Sequence, residues 1–103
     1  MKPDRSETEI SAAIAARWEA RGGVVTRMQS GRVKVRGGWM HLASEGTPDR
    51  FVIGPGFCFW AETKTPKGEL NTAQISWHHR ARQLGQRVFV VRDESAADAA
   101  WVE

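Results

Sequence analysis

The chain has 103 residues, 41% hydrophobic and 26% charged, a size and balance that fit one small folded domain and exclude a disordered chain. Its single cysteine, Cys58, excludes an intramolecular disulfide and any cysteine-rich zinc site. No apolar run approaches the roughly 18 residues of a membrane span and nothing resembles a secretory leader, so the expectation is a cytoplasmic protein without a membrane partner.

The net charge is +3 and the pI about 9.6. Arg outnumbers Lys, and its guanidinium suits bidentate phosphate contacts. The run from Arg27 to Arg36 carries Arg27, Arg32, Lys34 and Arg36 with no acid. Such a run favours a phosphate backbone; a solvated sheet edge accounts for it equally well. Five Trp can be shared between a core and an interface, and a homodimer is a natural way for so small a chain to bury more surface.

Residues 6–21 read as an amphipathic helix. Ser6 caps it, Glu9 completes a capping box, and Gly22-Gly23 stop it. A start capped by Asp4, with Glu7 as the third residue, is the alternative. The apolar stripe is Ile10, Ala13, Ile14 and Trp18. Glu7 falls on its inward edge, whereas Glu9 points to the side. Either acid also suits the helix dipole.

Val24 to Met28 reads as a strand, followed by a basic turn at Ser30-Gly31. Val33–Val35 and Trp39–Leu42 form either a hairpin about Gly37-Gly38 or a mobile arm. Gly46-Thr47-Pro48 is a turn, because Pro48 fixes its own φ and holds Thr47 extended. Asp49 then opens the short strand Arg50–Ile53, Gly54-Pro55-Gly56 reverses the chain, and Phe57–Lys64 is the next strand. Its two faces are Phe57, Phe59, Ala61, Thr63 and Cys58, Trp60, Glu62, Lys64. Both begin apolar, so the strand is expected to be central and covered on both sides, with Cys58 a buried inert thiol.

After the Pro66-Lys67-Gly68 loop, Asn71 caps a second helix to about Leu84, ended by Gly85. Gln74 completes its capping box, and Leu70 and Ile75 are placed as a hydrophobic staple. Gln74, Trp77, Ala81 and Leu84 share one face. His78 and His79 diverge and cannot clamp one metal together; they read as surface or DNA-facing residues. Arg87–Arg92 is a Val/Phe-rich strand, and Ser95 caps a short helix through Trp101. This order predicts an α/β domain, α-β-β-β-α-β, with a central mixed sheet flanked by helices.

The chemistry-bearing set is Asp49, Glu62 and Lys64. A hairpin of this length brings Asp49 and Glu62 to neighbouring strand ends, where two carboxylates repel unless protonated or bridged by a cation. Oxygen ligands suit Mg²⁺ or Mn²⁺, and Mg²⁺ keeps several waters that can attack a phosphodiester. Lys64, on the face of Glu62, can orient or deprotonate the water or stabilise charge on the phosphate. An ion pair of Lys64 with Glu62 or Asp49 explains the same spacing.

Glu7, Gly46-Thr47-Pro48-Asp49, Glu62-Thr63-Lys64, Pro66, Gly68, Leu70 and Gln74 together resemble the VRR-NUC branch of the PD-(D/E)XK nuclease superfamily, in its small standalone phage and bacterial form. The likeness spans the chain from Glu7 through the Arg87–Arg92 strand. It implies a restriction-endonuclease-like core and a Mg²⁺-dependent DNA endonuclease, with Mn²⁺ as a substitute. Asp49, Glu62 and the backbone carbonyl of Thr63 would hold the metal, with Glu7 completing the acidic cluster. Lys64 would position the water, and Gln74 would approach from the second helix, a role its capping box does not exclude. Small standalone members are similar to homodimeric Holliday-junction resolvases, which implies branched DNA as substrate. Arg27, Arg32, Lys34, Arg36 and Lys67 are the expected DNA contacts. One departure is that 32–44 is longer and more basic-aromatic than the compact loop of the family. A non-catalytic nucleic-acid-binding module and a partner-regulating protein on the same fold are the alternatives.

Overall fold

The computed structural model describes residues 5–29, 32–41 and 43–102. Asp4, the Ser30-Gly31 turn, Leu42 and the side chain of Arg32 lie outside the described part. Helix α1 (Glu7–Ala20) starts at Ser6, whose hydroxyl accepts from Glu9 N–H while the Glu9 carboxylate accepts from Ser6 N–H. This capping box satisfies two donors that a helix start leaves orphaned. It also commits Glu9 and leaves Glu7 available to the cleft described below.

Strands β1 (Val24–Arg27), β4 (Arg50–Gly54), β5 (Phe57–Thr63) and β6 (Val88–Val91) form one sheet in that spatial order. The first two pairings are antiparallel and β5–β6 is parallel, as a crossover through α2 (Thr72–Gln83) requires. Strands β2 (Arg32–Val35) and β3 (Gly38–His41) make a separate hairpin, and α3 (Glu94–Val102) closes the chain. The mixed sheet flanked by helices is the expected architecture. Among the described residues no helix is long and apolar enough to cross a membrane.

The core lies between the sheet and the α1/α3 pair. Ile10, Ile14 and Trp18 of α1 pack on Val52, Phe59, Ala61 and Val91, with Ala97 and Ala100 of α3 closing the side. Trp18 is fully buried, its Nε1 donates to the Ala97 carbonyl at 3.0 Å, and its ring meets Phe59 edge-on at 5.2 Å. Burying an indole of this size contributes about 4–6 kcal/mol before entropy is counted, provided its N–H finds a partner. Arg17 and Arg21 bridge to Asp98, and Arg5 to Glu94. These surface pairs orient α3 on α1 and add little stability.

Four local expectations change. The hairpin turns at Arg36-Gly37 rather than Gly37-Gly38, because Val35 pairs with Gly38. Helix α3 is capped by Asp93, whose carboxylate accepts from Ala96 N–H at 2.8 Å, so Ser95 is already inside the helix. Ile75 is exposed rather than stapled. Cys58 is exposed, not buried: α2 reaches the sheet at the other end of β5, so the second face is covered beside Glu62 and open beside Cys58.

Candidate active site

The site forms where β4 begins and β5 ends. The last rung of their ladder is Arg50 with Ala61, so Asp49 and Glu62 stand one position beyond it on facing chain ends. Pro48 cannot donate to a ladder and stops the pairing there. The Thr63 N–H, left without a strand partner, donates to Asp49 Oδ1 at 2.8 Å. The Thr63 hydroxyl donates to Asp49 Oδ2, and the Ser11 hydroxyl approaches the same oxygen at 3.4 Å. Ser11 and Thr63 are themselves 3.2 Å apart. Three donors on two neighbouring elements therefore fix the Asp49 carboxylate.

The turn before Asp49 is held as firmly. Thr47 N–H and its hydroxyl both donate to the Ser44 carbonyl, at 3.1 and 2.6 Å. Gly46 occupies the left-handed position of this turn at φ +88°, which favours glycine. A Cβ there would collide with the Ala73 carbonyl oxygen and approach Gln74 N at 3.1 Å. The absence of a side chain thus lets the turn rest on the first turn of α2.

Alternation along β5 sends Thr63 and Glu62 to opposite faces. Thr63 looks toward α1 and Asp49, while Glu62 looks toward α2. There it is only 4% exposed and meets His78, itself 1% exposed, with Nε2 3.4 Å from Glu62 Oε1. The two atoms are close but not aligned as a hydrogen bond, and neither Glu62 Oε1 nor the His78 ring nitrogens have another partner among the described residues. Burial raises the Glu62 carboxyl above its usual range, and the charge of Asp49 raises it further. The neighbouring His78 and the charge of Lys64 oppose the shift without cancelling it. Asp49 and Lys64 are therefore both within electrostatic reach of Glu62.

Glu7 stands one helical turn before Ser11 and is exposed. It lines a cleft together with Ser11, Arg27, Gln29, Asp49 and Arg50. The α1 acid, the pinned Asp49 and two arginines thus share one concavity. The Gln74 side-chain oxygen accepts from the Asn71 N–H at 2.9 Å, as the capping box requires. The α2 side chain that meets Glu62 is His78, one turn further on. Lys67 is exposed in the loop after β5. Arg92 fastens that loop by donating to the carbonyls of Thr65 and Gly68 at 2.7 and 2.5 Å. Lys34 and Arg36 are exposed on the hairpin.

Three contributors were not apparent from sequence. His78, expected on the surface, is buried; its spacing of four from Gln74 is the only signal, and it places both on one helix face. Ser11 stands four after Glu7, inside the inward stripe. Arg92 follows a strand and carried no mark of its role. Among the described residues no three His, Cys, Asp or Glu side chains gather into a ready metal cage, so a cation here would draw on two strand-end carboxylates and backbone oxygen.

No family model matches the chain, and no curated protein matches it. Among solved structures, one described as "VRR_NUC domain" is similar to this chain with a TM-score of 0.70 and 27% sequence identity, over 94% of this chain and 95% of that chain.

Proposed function

The chain is a VRR-NUC domain, a nuclease-type domain on a restriction-endonuclease-like fold, and from that premise we propose that it is a divalent-metal-dependent DNA endonuclease. The observation that carries the proposal is the buried Glu62 carboxylate, one position past the last β4–β5 rung as Asp49 is, with Oε1 lacking a hydrogen-bond partner among the described residues. A buried carboxylate without donors is costly unless it is protonated or meets a cation. Asp49, Glu62 and the backbone carbonyl of Thr63 carry the hard oxygen donors that Mg²⁺ takes, with Mn²⁺ as a substitute. Glu7 adds an acid across the cleft.

Such an ion supplies Lewis-acid polarisation of the phosphate and lowers the pKa of an attacking water. The protein's part is positional. Thr63 and Ser11 hold Asp49 in one orientation, which keeps the site organised before substrate arrives. Lys64 orients the nucleophile and stabilises charge developing on the phosphate oxygens. The amide nitrogen of Gln74 remains available while its oxygen serves the cap. Arg27 and Arg50 in the cleft, with Lys67 beyond it, contact the backbone of the DNA.

The preferred substrate is branched DNA, cut by a homodimer. The dimer is supported by the open second face of the sheet, where Ile53 is 46% and Leu84 62% exposed beside Phe51, Trp60 and Trp77. Contiguous apolar surface of this kind marks an interaction site. The proposal is tested with a labelled four-way junction and a linear duplex of the same sequence, each with Mg²⁺ and with chelator. Mg²⁺-dependent cutting, faster on the junction, is the expected result. Equal cutting of both contradicts the branched preference. Binding without cutting of either makes the chain a binding module rather than a nuclease.

A further inference from the structure

Arg27 on β1 and Arg50 on β4 are direct partners in the sheet register. Directly opposed residues of an antiparallel pair project from the same face, and two like charges placed so repel. That face is the one under α1, where both arginines line the cleft with Glu7 and Ser11. No acid relieves the pair. Arg5, Arg17 and Arg21 form ion pairs with carboxylates, whereas among the described residues neither Arg27 nor Arg50 does, although Glu7 shares their cleft.

Arg50 Nη1 reaches the Asp49 carbonyl at 3.4 Å, and its Nε is buried with no partner among the described residues. Taking a guanidinium partly out of water without an acid costs free energy that a bound anion offsets. Two guanidinium forks side by side match the oxygens of a phosphate. Strand β1 lies two places from β5 in the sheet, roughly 9–10 Å at the usual inter-strand spacing. A phosphate between Arg27 and Arg50 is therefore a neighbour of the one at Glu62, not the same group.

We infer that Arg27 and Arg50 jointly hold a single phosphate of the bound DNA strand, neighbouring the phosphate cut at the acids. Gripping it fixes which phosphodiester reaches Asp49 and Glu62. The inference rests on the DNA reading above and deepens it, since it gives the two arginines one shared phosphate and a positioning role.

The binding test is fluorescence anisotropy with the full chain and a four-way junction in chelator, over a series of salt concentrations. Arg27→Ala and Arg50→Ala should each weaken binding about tenfold, with circular dichroism verifying folded protein. The double variant should be little weaker than either, because the shared contact is already broken. Its salt slope should fall by about 0.9, the value of one phosphate. Arg50→Lys keeps the charge but loses the fork, so it should lose affinity at an unchanged salt slope; it replaces Arg50→Ala in the double variant if that protein does not fold. Arg27→Ala should leave the unfolding free energy unchanged or higher, since it relieves a like-charge contact. Losses that multiply in the double variant, with a slope change of about 1.8, overturn the shared site. Wild-type affinity in both single variants overturns it as well.

In Mg²⁺, junctions carrying one uncharged methylphosphonate at successive positions should show a wild-type cutting defect at a phosphate beside the scissile one. Arg27→Ala should be insensitive to that replacement. Cutting indifferent to every neighbouring phosphate, or a variant as sensitive as the wild type, overturns the positioning role. A protein that cuts nothing but shows non-additive arginine losses keeps the phosphate site and loses the nuclease reading. An active nuclease with additive losses keeps that reading and loses this site.

Discussion

Glu62→Gln is expected to abolish cleavage and, without metal, to make the protein more stable at neutral pH. The substitution keeps the shape and removes the charge. Glu62 is 4% exposed, and burial followed by the charge of Asp49 lifts its carboxyl above the usual range. The sign of the linkage follows from that direction. The folded state holds the Glu62 proton more tightly than the unfolded chain does. Below the unfolded value near ~4.3 both states carry the proton and there is no penalty. The penalty grows as pH rises past that value and is complete above the raised folded value. Glu62→Gln removes it and should raise the unfolding free energy at pH 7 by about 0.5–2 kcal/mol. Urea unfolding in chelator should show this gain at pH 7 and its disappearance as the solution is made strongly acidic. With saturating Mg²⁺ the order should reverse, because only the wild type gains from binding. Cleavage should fall by at least about 10²–10³-fold. Equal stability at pH 7, or a variant that still cuts, contradicts this role for Glu62.

His78→Ala is expected to act in the opposite direction on stability. The imidazole is 1% exposed and lies 3.4 Å from Glu62 Oε1. Its removal opens a cavity under α2 and deprives a buried acid of its neighbour, which together cost about 2–4 kcal/mol. Metal affinity should fall about 10–100-fold, as when a residue that orients a ligand is lost. His78→Gln, which retains a donor, should recover part of both losses. A double-mutant cycle with Glu62→Gln should show strong coupling, since His78 matters less once its partner is uncharged. Additive effects in that cycle would show that His78 serves packing alone.

Much of this arrangement could be read from the chain because local rules and the fold agree. The capping boxes of Ser6 with Glu9 and of Asn71 with Gln74 both form. Pro48 and the period of two place Asp49 and Glu62 on facing strand ends. The failures come where a neighbour distant in sequence decides. The apolar start of β5 suggested cover on both faces, but α2 packs only over its Glu62 end, so Cys58 is exposed. His78 and His79 are indistinguishable in composition, and only the docking of α2 turns one inward and the other out. Ser11 and Thr63 support Asp49 through hydroxyls that alternation can place on a face but cannot pair. Asp93 displaced Ser95 as a cap because it stands where its carboxylate reaches the Ala96 N–H.

The central claim is that Asp49 and Glu62 support metal-dependent phosphodiester cleavage. It is tested most directly by incubating the purified wild type and Asp49→Ala side by side with junction DNA, in Mg²⁺, in Mn²⁺ and in chelator. Circular dichroism would verify that both proteins are folded. The account predicts cutting by the wild type in either metal, none in chelator, and none by Asp49→Ala under any condition. Cutting by folded Asp49→Ala at the wild-type rate, or no cutting by the wild type in either metal, would contradict it.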